Sequence, residues 1–184
     1  TANAMNGLYE AGFASSPVML ITTQINRIHL GKNKAFIHDA ENQFAMLQTV
    51  TRRTDRVFHA GQLFETIVAL GRDIMTGRPQ PGAVEIPTDL LDERTPAIPA
   101  TEASLLPVRR IVPDAAALAG AAALIAAARR PLVWLGGGCV RSGADEAVRA
   151  FVEHLGAPVV TTLNGRSALA SDHPLAVGSA TYYP

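Results

Sequence analysis

Residues 131–165 carry the pattern that most constrains how this chain can fold, PLVWLGGGCVRSGADEAVRAFVEHLGAPVVTTLNG. A short apolar run ends in three glycines, and apolar residues then recur at i, i+3, i+4 and i+7, which predicts a helix with one buried stripe. Gly156 follows, a residue that tolerates the positive φ common at helix C-termini. A second β-rich run spans residues 158–163. Strand, turn, helix and strand make a βαβ unit, whose strands lie parallel with a right-handed crossover.

The carboxyl ends of the two predicted strands, at Gly136–Gly138 and Thr162–Gly165, point to the same edge of this sheet. Open α/β sheets bind ligands at that edge. The glycines could let backbone amides approach a phosphate or nucleotide, or they could form a tight strand-to-helix turn that needs positive φ. Because their spacing is not G-x-G-x-x-G, the residues alone leave both interpretations open.

Composition excludes several classes of function. The chain has 184 residues with a formal net charge of zero, which gives no reason to expect nucleic acid or an anionic membrane surface as a partner. Its single cysteine, Cys139, excludes an internal disulfide and suits a reducing compartment, so we expect a cytoplasmic location. No apolar run approaches the length of a membrane span. The first residue is not Met, and we expect the chain to be a piece of a longer protein.

The remaining sequence predicts two α/β halves. The first half, residues 1–90, predicts helices over residues 1–16, 40–47 and 61–75 and strands over residues 17–25, 50–57 and 83–86. Residues 91–113 contain four prolines and no periodicity, which predicts an interdomain linker. The second half, residues 114–184, begins with an alanine-rich helix after Asp114, and the alanines suggest that this helix packs closely on a sheet.

Six short motifs, in order along nearly the whole chain, resemble those of the acetolactate synthase-like, thiamine-diphosphate-dependent enzymes. They are Asn3 with Asn6-Gly7-Leu8, Ser15-Ser16-Pro17, residues 38–43 before Thr51-Arg52, residues 77–81 with residues 85–89, Gly136–Gly138 with residues 158–162, and His173-Pro174-Leu175 with Gly178. Each motif alone is weak, and their common order carries the resemblance. Two departures concern specificity: Gln80 stands at a usual glycine, and residues 32–37 match no subfamily closely.

The resemblance implies a fold and a chemistry. Residues 1–90 would be the C-terminal part of a pyrimidine-binding domain, and residues 114–184 would be an incomplete Rossmann-like middle domain, both three-layered around parallel sheets. The parent protein would decarboxylate or join 2-oxo acids with thiamine diphosphate and Mg2+, as a homodimer or homotetramer with active sites between subunits. The family's catalytic glutamate and metal-binding segment lie outside the stretch that matches this chain. We therefore expect no catalytic residue or metal ligand here, and no activity from the chain alone.

The resemblance also implies site residues in the first half. Asn3 follows the place of a turn that approaches the thiamine cofactor, although as a bare residue it favours capping a helix. His38, Asp39 and Gln43 match a segment that borders the mouth of the active site. One His beside one Asp defines neither a triad nor a metal site, so their ordinary interpretation is a solvated loop.

In the second half, Gly136, Gly137 and Gly138, with Thr162 and Leu163, match the segments that bind FAD in acetolactate synthases. Many relatives keep this fold without a flavin. The contrasting hypothesis is therefore a nucleotide-binding or purely structural module without catalysis. Cys139 favours a small buried hydrophobe over a nucleophile, because no histidine lies near it in the sequence.

Overall fold

The computed structural model describes residues 1–40, 42–96 and 111–180. These form two compact units, Thr1–Ile111 and Val112–Pro184. Most of the predicted linker, residues 91–113, lies outside the described residues. Each unit contains a parallel three-stranded sheet flanked by helices, which confirms the predicted α/β class.

The first unit is built around a strand that is buried along its whole length. Its sheet has the order β1-β3-β2 with all strands parallel, so β3 lies in the centre. Five further elements surround β3 (Gly82–Pro87), namely α1 (Met5–Ala14), β1 (Met19–Gln24), α2 (Gln43–Gln48), β2 (Arg53–Arg56) and α3 (Leu63–Met75).

Alternation along β3 separates two hydrophobic layers. Val84 and Ile86 pack with α3, while Ala83 faces the other way and packs with Leu8 of α1 and Leu47 of α2. Successive side chains of a strand point to opposite faces, so the sheet lies between two helical layers. This arrangement leaves the carboxyl ends of the three strands together at one edge.

The second unit contains the predicted βαβ unit and one further strand. Its sheet has the order β4-β5-β6, all parallel. Its elements are α4 (Ala115–Ala127), β4 (Val133–Leu135), α5 (Gly137–Arg141), α6 (Asp145–Leu155), β5 (Val159–Thr161) and β6 (Ala176–Ser179). Val148 and Val152 of α6 form the core with Leu135 and Val159. Gly156 ends α6 with a φ of 62°, as its position predicts.

Helix α4 differs from the expectation that it packs on a sheet. Asp114 caps it, with Oδ2 accepting from the Ala117 amide at 2.9 Å, but every residue of the helix is exposed within the described structure. The alanine-rich sequence is apolar on all sides, so it contains no stripe that could indicate a packing face. Among the described helices, none has both the length and the apolar character to cross a membrane.

Candidate functional site

The two glycine-containing ends of the second sheet meet at one edge. The Thr162 amide donates to the Leu135 carbonyl at 2.9 Å, which joins the end of β4 to the end of β5. A 3-10 turn, Leu163–Ala168, follows β5 and packs against α5. The structure thus brings Gly136–Gly138 together with Thr162 and Leu163.

Close packing, and not positive φ, explains the glycines on the inner side of this edge. Gly136 has a φ of −104°, and none of Gly136–Gly138 has positive φ, so the expected left-handed turn is wrong. A Cβ on Gly137 would lie 2.9 Å from the Asn164 Cβ. A Cβ on Gly165 would lie 2.3 Å from the Leu135 carbonyl oxygen. These two glycines let the ends of β4 and β5 approach each other.

Gly136 and Gly138 are different, because a Cβ on either would meet nothing within 4 Å. No packing requirement explains the absence of a side chain at these positions. Leu163 is 63% exposed beside them, and Thr162 is half-buried. The open backbone of this edge is accessible to a ligand.

A cleft of about 320 Å³ lies along β5 and β6, and its lining includes Thr161, Arg166 and Ser179. The Ser179 hydroxyl is engaged with the Thr161 carbonyl at 3.2 Å. Arg166 is exposed and forms no ion pair within the described residues. This cationic group, which the sequence analysis did not single out, gives the edge a partner for an anionic group.

Cys139 is half-buried and packs against the core of the second unit. This placement agrees with its interpretation as a small hydrophobe. No cluster of three or more His, Cys, Asp or Glu side chains that could hold a metal ion occurs among residues 1–40, 42–96 and 111–180.

In the first unit, Asn3 lies at the start of α1, within a 3-10 turn at Ala2–Ala4. The N-cap positions are Thr1 for the turn and Ala4 for the helix, and neither side chain makes a capping bond, so the capping interpretation of Asn3 is wrong. The Thr1 hydroxyl lies 2.7 Å from the hydroxyl of Thr22 on β1. This contact places the turn beside the carboxyl half of β1 and leaves Asn3 exposed.

Gln43 is buried and joins α2 to the sheet. Its Nε2 donates to the Thr23 carbonyl at 3.0 Å and to Glu85 Oε1 at 2.9 Å. Glu85 has no exposed side-chain surface, and Arg56 binds its other oxygen, with Nε at 2.7 Å and Nη2 at 2.6 Å. The Arg56 guanidinium also lies 4.8 Å from the centre of the Phe44 ring.

This buried network fixes the orientation of the Gln43 amide. Both partners of Nε2 are acceptors, so the nitrogen must face them and Oε1 must face away. Oε1 makes no hydrogen bond within the described residues and is not among the buried side-chain atoms without a partner. The network therefore leaves Oε1 facing away from these two partners, near the carboxyl ends of the strands.

His38 and Asp39 lie in the loop before α2. His38 is exposed, with a φ of 68°, and makes no side-chain hydrogen bond within the described residues. Asp39 is half-buried, and its Oδ2 is buried without a hydrogen-bond partner. The fold thus places both residues in the same segment as Gln43, with side chains that are not committed to the core.

Arg27 holds together the carboxyl ends of all three strands of the first sheet, which the sequence did not indicate. Its Nε donates to Asp89 Oδ2 at 2.6 Å, its backbone amide donates to Asp89 Oδ1 at 3.0 Å, and its Nη1 donates to the Phe58 carbonyl. A further ion pair joins it to Glu93. Burial would raise the pKa of Asp89, but the hydrogen bonds from Arg27 outweigh burial and lower it. The bond to Asp89 also raises the pKa of Arg27.

Comparison with known proteins identifies the family. The family model described as "Thiamine pyrophosphate enzyme, central domain" matches residues 118–183. A probable 2-ketoarginine decarboxylase of Pseudomonas aeruginosa is 32% identical over 178 residues, which are 97% of this chain and 31% of that protein. A probable acetolactate synthase large subunit of Methanocaldococcus jannaschii is 32% identical over 181 residues, 96% of this chain and 30% of that protein.

A solved structure supports the same relationship. An X-ray structure described as a thiamin diphosphate-dependent enzyme from Mycobacterium smegmatis superposes with a TM-score of 0.79 at 28% identity, over 98% of this chain and 34% of that one. The chain belongs to the acetolactate synthase-like, thiamine-diphosphate-dependent family. It spans about a third of the length of these relatives. The second unit contains the region that matches the central domain of this family.

Proposed function

We propose that this chain acts as part of a thiamine-diphosphate-dependent enzyme that decarboxylates 2-oxo acids or joins them to a second carbonyl compound. The observation that carries the proposal is the length of the alignments. Relatives that bear decarboxylase and acetolactate synthase names match 96–97% of the chain, which includes both units. A shared nucleotide-binding fold alone would account for only the second unit.

In this proposal, thiamine diphosphate supplies the carbanion chemistry and the protein binds and orients the reactants. Residues 1–90 would belong to a pyrimidine-binding domain, with Asn3 facing the cofactor. Oε1 of Gln43 would accept a hydrogen bond from a hydroxyl or amino group at the mouth of the site, next to His38 and Asp39. The Mg2+ ligands would lie outside the stretch that matches this chain, as the family resemblance implies.

The direct test is ThDP-dependent turnover. The polypeptide that contains this chain together with flanking sequence of the lengths found in its relatives should release CO2 from pyruvate or a larger 2-oxo acid when thiamine diphosphate and Mg2+ are present. The 184-residue chain alone should be inactive. A panel with pyruvate and 2-oxo-5-guanidinopentanoate would distinguish the two activities that the relatives' names suggest. Absence of thiamine-dependent turnover across the panel would contradict the proposal.

For the second unit we propose a flavin site at the carboxyl edge, with residues 114–184 acting as the middle domain. The fit is partial. Gly136 and Gly138 leave open backbone beside Thr162 and Leu163, whereas the space at Gly137 is filled by the protein itself. These open positions are the ones that would hold the cofactor.

FAD titration tests this site without any need for activity. FAD should bind the wild-type chain and lose affinity in Gly138→Ala, whose added methyl group meets no protein atom. Gly120→Ala in α4 is a matched control, because its methyl group is equally free of contacts. Equal FAD binding by both variants, or none by the wild type, would remove the flavin from the proposal and leave a structural middle domain.

We also propose that the parent enzyme is a cytoplasmic homodimer or homotetramer with active sites between subunits. The family relationship supports this proposal. Light scattering on the purified enzyme would give the number of subunits. Mixing two inactive variants with defects in different domains should restore turnover if subunits share a site, and failure to do so would contradict the shared site.

A further inference from the structure

The first unit has a concave surface at the amino-terminal edge of its sheet. It is a cleft of about 300 Å³ formed by α1, the turn before β2 and the segment before β3. Arg52 and Pro81, which line it, directly precede β2 and β3. The cleft therefore lies at the opposite edge of the sheet from the candidate cofactor site. Nothing in the proposed function uses it.

One wall of this amino-edge cleft is aromatic. Tyr9 and Phe13 are successive turns apart on α1, and their rings meet edge to face with centroids 5.0 Å apart. They are 56% and 65% exposed, so most of their ring surface is open to solvent. Such a pair offers a rigid apolar surface against which a planar group can pack. Val50 and Pro81 also line the cleft.

The cleft also carries an uncompensated positive charge. Arg52 is paired with Asp73 at 3.0 Å. Arg78 instead uses its guanidinium to donate to the Ser15 hydroxyl at 2.8 Å and to the Phe13 carbonyl at 3.4 Å, and both acceptors are neutral. It has no carboxylate partner within the described residues. These bonds hold the group in place without neutralising it, which suits it to bind an anion.

Two further residues that line the cleft, Gln80 and Gly12, bear on what it can bind. Gln80 is half-buried, and its side-chain amide makes no hydrogen bond within the described residues, so the amide is available to a ligand. Gly12 lies in the interior of α1, where glycine costs about 0.5–1 kcal/mol relative to alanine. A Cβ at Gly12 would come no nearer than 3.8 Å to Pro81, so close packing does not require the glycine. Its effect is to keep the cleft open.

We propose that this cleft binds a small aromatic carboxylate. The ring packs against Tyr9 and Phe13, the carboxylate pairs with Arg78, and the Gln80 amide donates a second hydrogen bond. An apolar surface with a few convergent polar groups is the usual composition of a small-molecule site, and 300 Å³ is at the small end of such sites. Because the cleft and the carboxyl edge are at opposite ends of the sheet, the ligand does not compete with the cofactor.

Ligand-observed NMR and calorimetry with 1-naphthoate test the proposal on the whole chain. Binding should weaken at least tenfold for the isosteric neutral probe 1-naphthamide, which lacks the charge that Arg78 recognises. Gly12→Leu should abolish binding by filling the cleft. Gly7→Leu on the same helix should leave it unchanged, because a side chain at Gly7 points into open space.

The contributions of the Arg78 charge and of the Gln80 amide to binding are tested by separate variants. Arg78→Met should weaken binding at least tenfold, and Gln80→Ala should weaken it severalfold. The Gln80 side chain makes no hydrogen bond to the residues that the structure describes, so its variant tests the site even if Arg78→Met fails to fold. The proposal is overturned by equal affinity for naphthoate and naphthamide, by unchanged binding in Gly12→Leu, or by no binding at millimolar naphthoate. The proposal would also be overturned if the chain self-associates, if Gly12→Leu abolishes this self-association and if naphthoate does not affect it. The occupant of the cleft would then be a second copy of the chain.

Discussion

The buried pair of Arg56 and Glu85 gives the sharpest quantitative prediction for the first unit. The Glu85 side chain has no solvent exposure, whereas the Arg56 side chain is 23% exposed. Among the described residues, Arg56→Met therefore leaves a carboxylate in the core with Gln43 as its only side-chain partner. Removal of one member of a buried ion pair costs about 3–5 kcal/mol, since the remaining charge cannot return to water.

Removal of both charges should cost less than removal of one. In the double variant Arg56→Met/Glu85→Met no charge is left in the core, and replacement of a buried pair by apolar residues is often close to neutral. Gln43 then lacks one acceptor, which costs about 1–3 kcal/mol for an unsatisfied buried group. The double variant should therefore be more stable than Arg56→Met alone.

Urea denaturation followed by far-ultraviolet circular dichroism measures these differences. With a slope of about 2 kcal/mol per molar urea, Arg56→Met should lower the midpoint of the first unit by roughly 1.5–2.5 M. Arg53→Met is the matched control, because Arg53 lies on the same strand but pairs with Asp55 nearer the surface. That pair should contribute less than about 1 kcal/mol. Trp134 is the only tryptophan, so its fluorescence monitors the second unit as an internal reference.

Two results would refute this reasoning. One is a loss in Arg56→Met no larger than the loss in Arg53→Met, which would mean that the Glu85 charge is solvated after all. The other is a double variant that is less stable than Arg56→Met, which would mean that the pair contributes net attraction beyond the cost of its burial. The first result would also remove the argument that the network fixes the Gln43 amide.

Three further predictions concern other parts of the chain. Gly165→Ala should destabilise the second unit by about 1–3 kcal/mol, because its Cβ would lie 2.3 Å from a backbone carbonyl oxygen, whereas Gly138→Ala should be neutral or stabilising. Trp134 fluorescence in urea measures the unfolding midpoint of both variants, and equal midpoints would contradict the packing argument. Because the pKa of Asp89 is lowered, its bonds to Arg27 stabilise the fold at pH values above 3.8, the ordinary pKa of an Asp side chain, and this stability is lost as the pH falls through the lowered pKa. Asp89→Asn should therefore flatten the decline of the urea midpoint between pH 5 and pH 2. An unchanged decline would exclude this ion pair as the source of the decline. His38→Ala should raise KM for the 2-oxo acid in the parent enzyme without a change in thermal stability, and an unchanged KM would remove His38 from the substrate mouth.

Local pattern predicted much of the secondary structure. The helix and strand of the βαβ unit follow from two clear periodicities, and Gly156 marked the end of α6 because its left-handed φ is a local requirement. The helix predicted over residues 61–75 likewise corresponds to α3 (Leu63–Met75). These features depend on neighbours within about ten residues, which is the range over which sequence patterns carry information.

The network at Glu85 could not be predicted in the same way. A carboxylate in a fully buried strand requires a partner, but the register that pairs Glu85 with Arg56 brings together residues 29 positions apart. The clamp of Arg27 on Asp89 spans 62 positions. The sequence indicated that Gly136–Gly138 form a functional or structural turn. Only the packing in the structure distinguishes Gly137 and Gly165, where a Cβ would clash with neighbouring atoms, from Gly136 and Gly138, where it would meet nothing.

Release of labelled CO2 tests the central claim most directly. The polypeptide that contains this chain and its flanking sequence is incubated with a 1-13C-labelled 2-oxo acid and Mg2+, with and without thiamine diphosphate, and 13CO2 is measured by mass spectrometry. We expect 13CO2 only when thiamine diphosphate is present, and none from the 184-residue chain alone. No release in either condition, from a folded preparation that binds thiamine diphosphate, would contradict the assignment of a 2-oxo acid decarboxylase or carboligase.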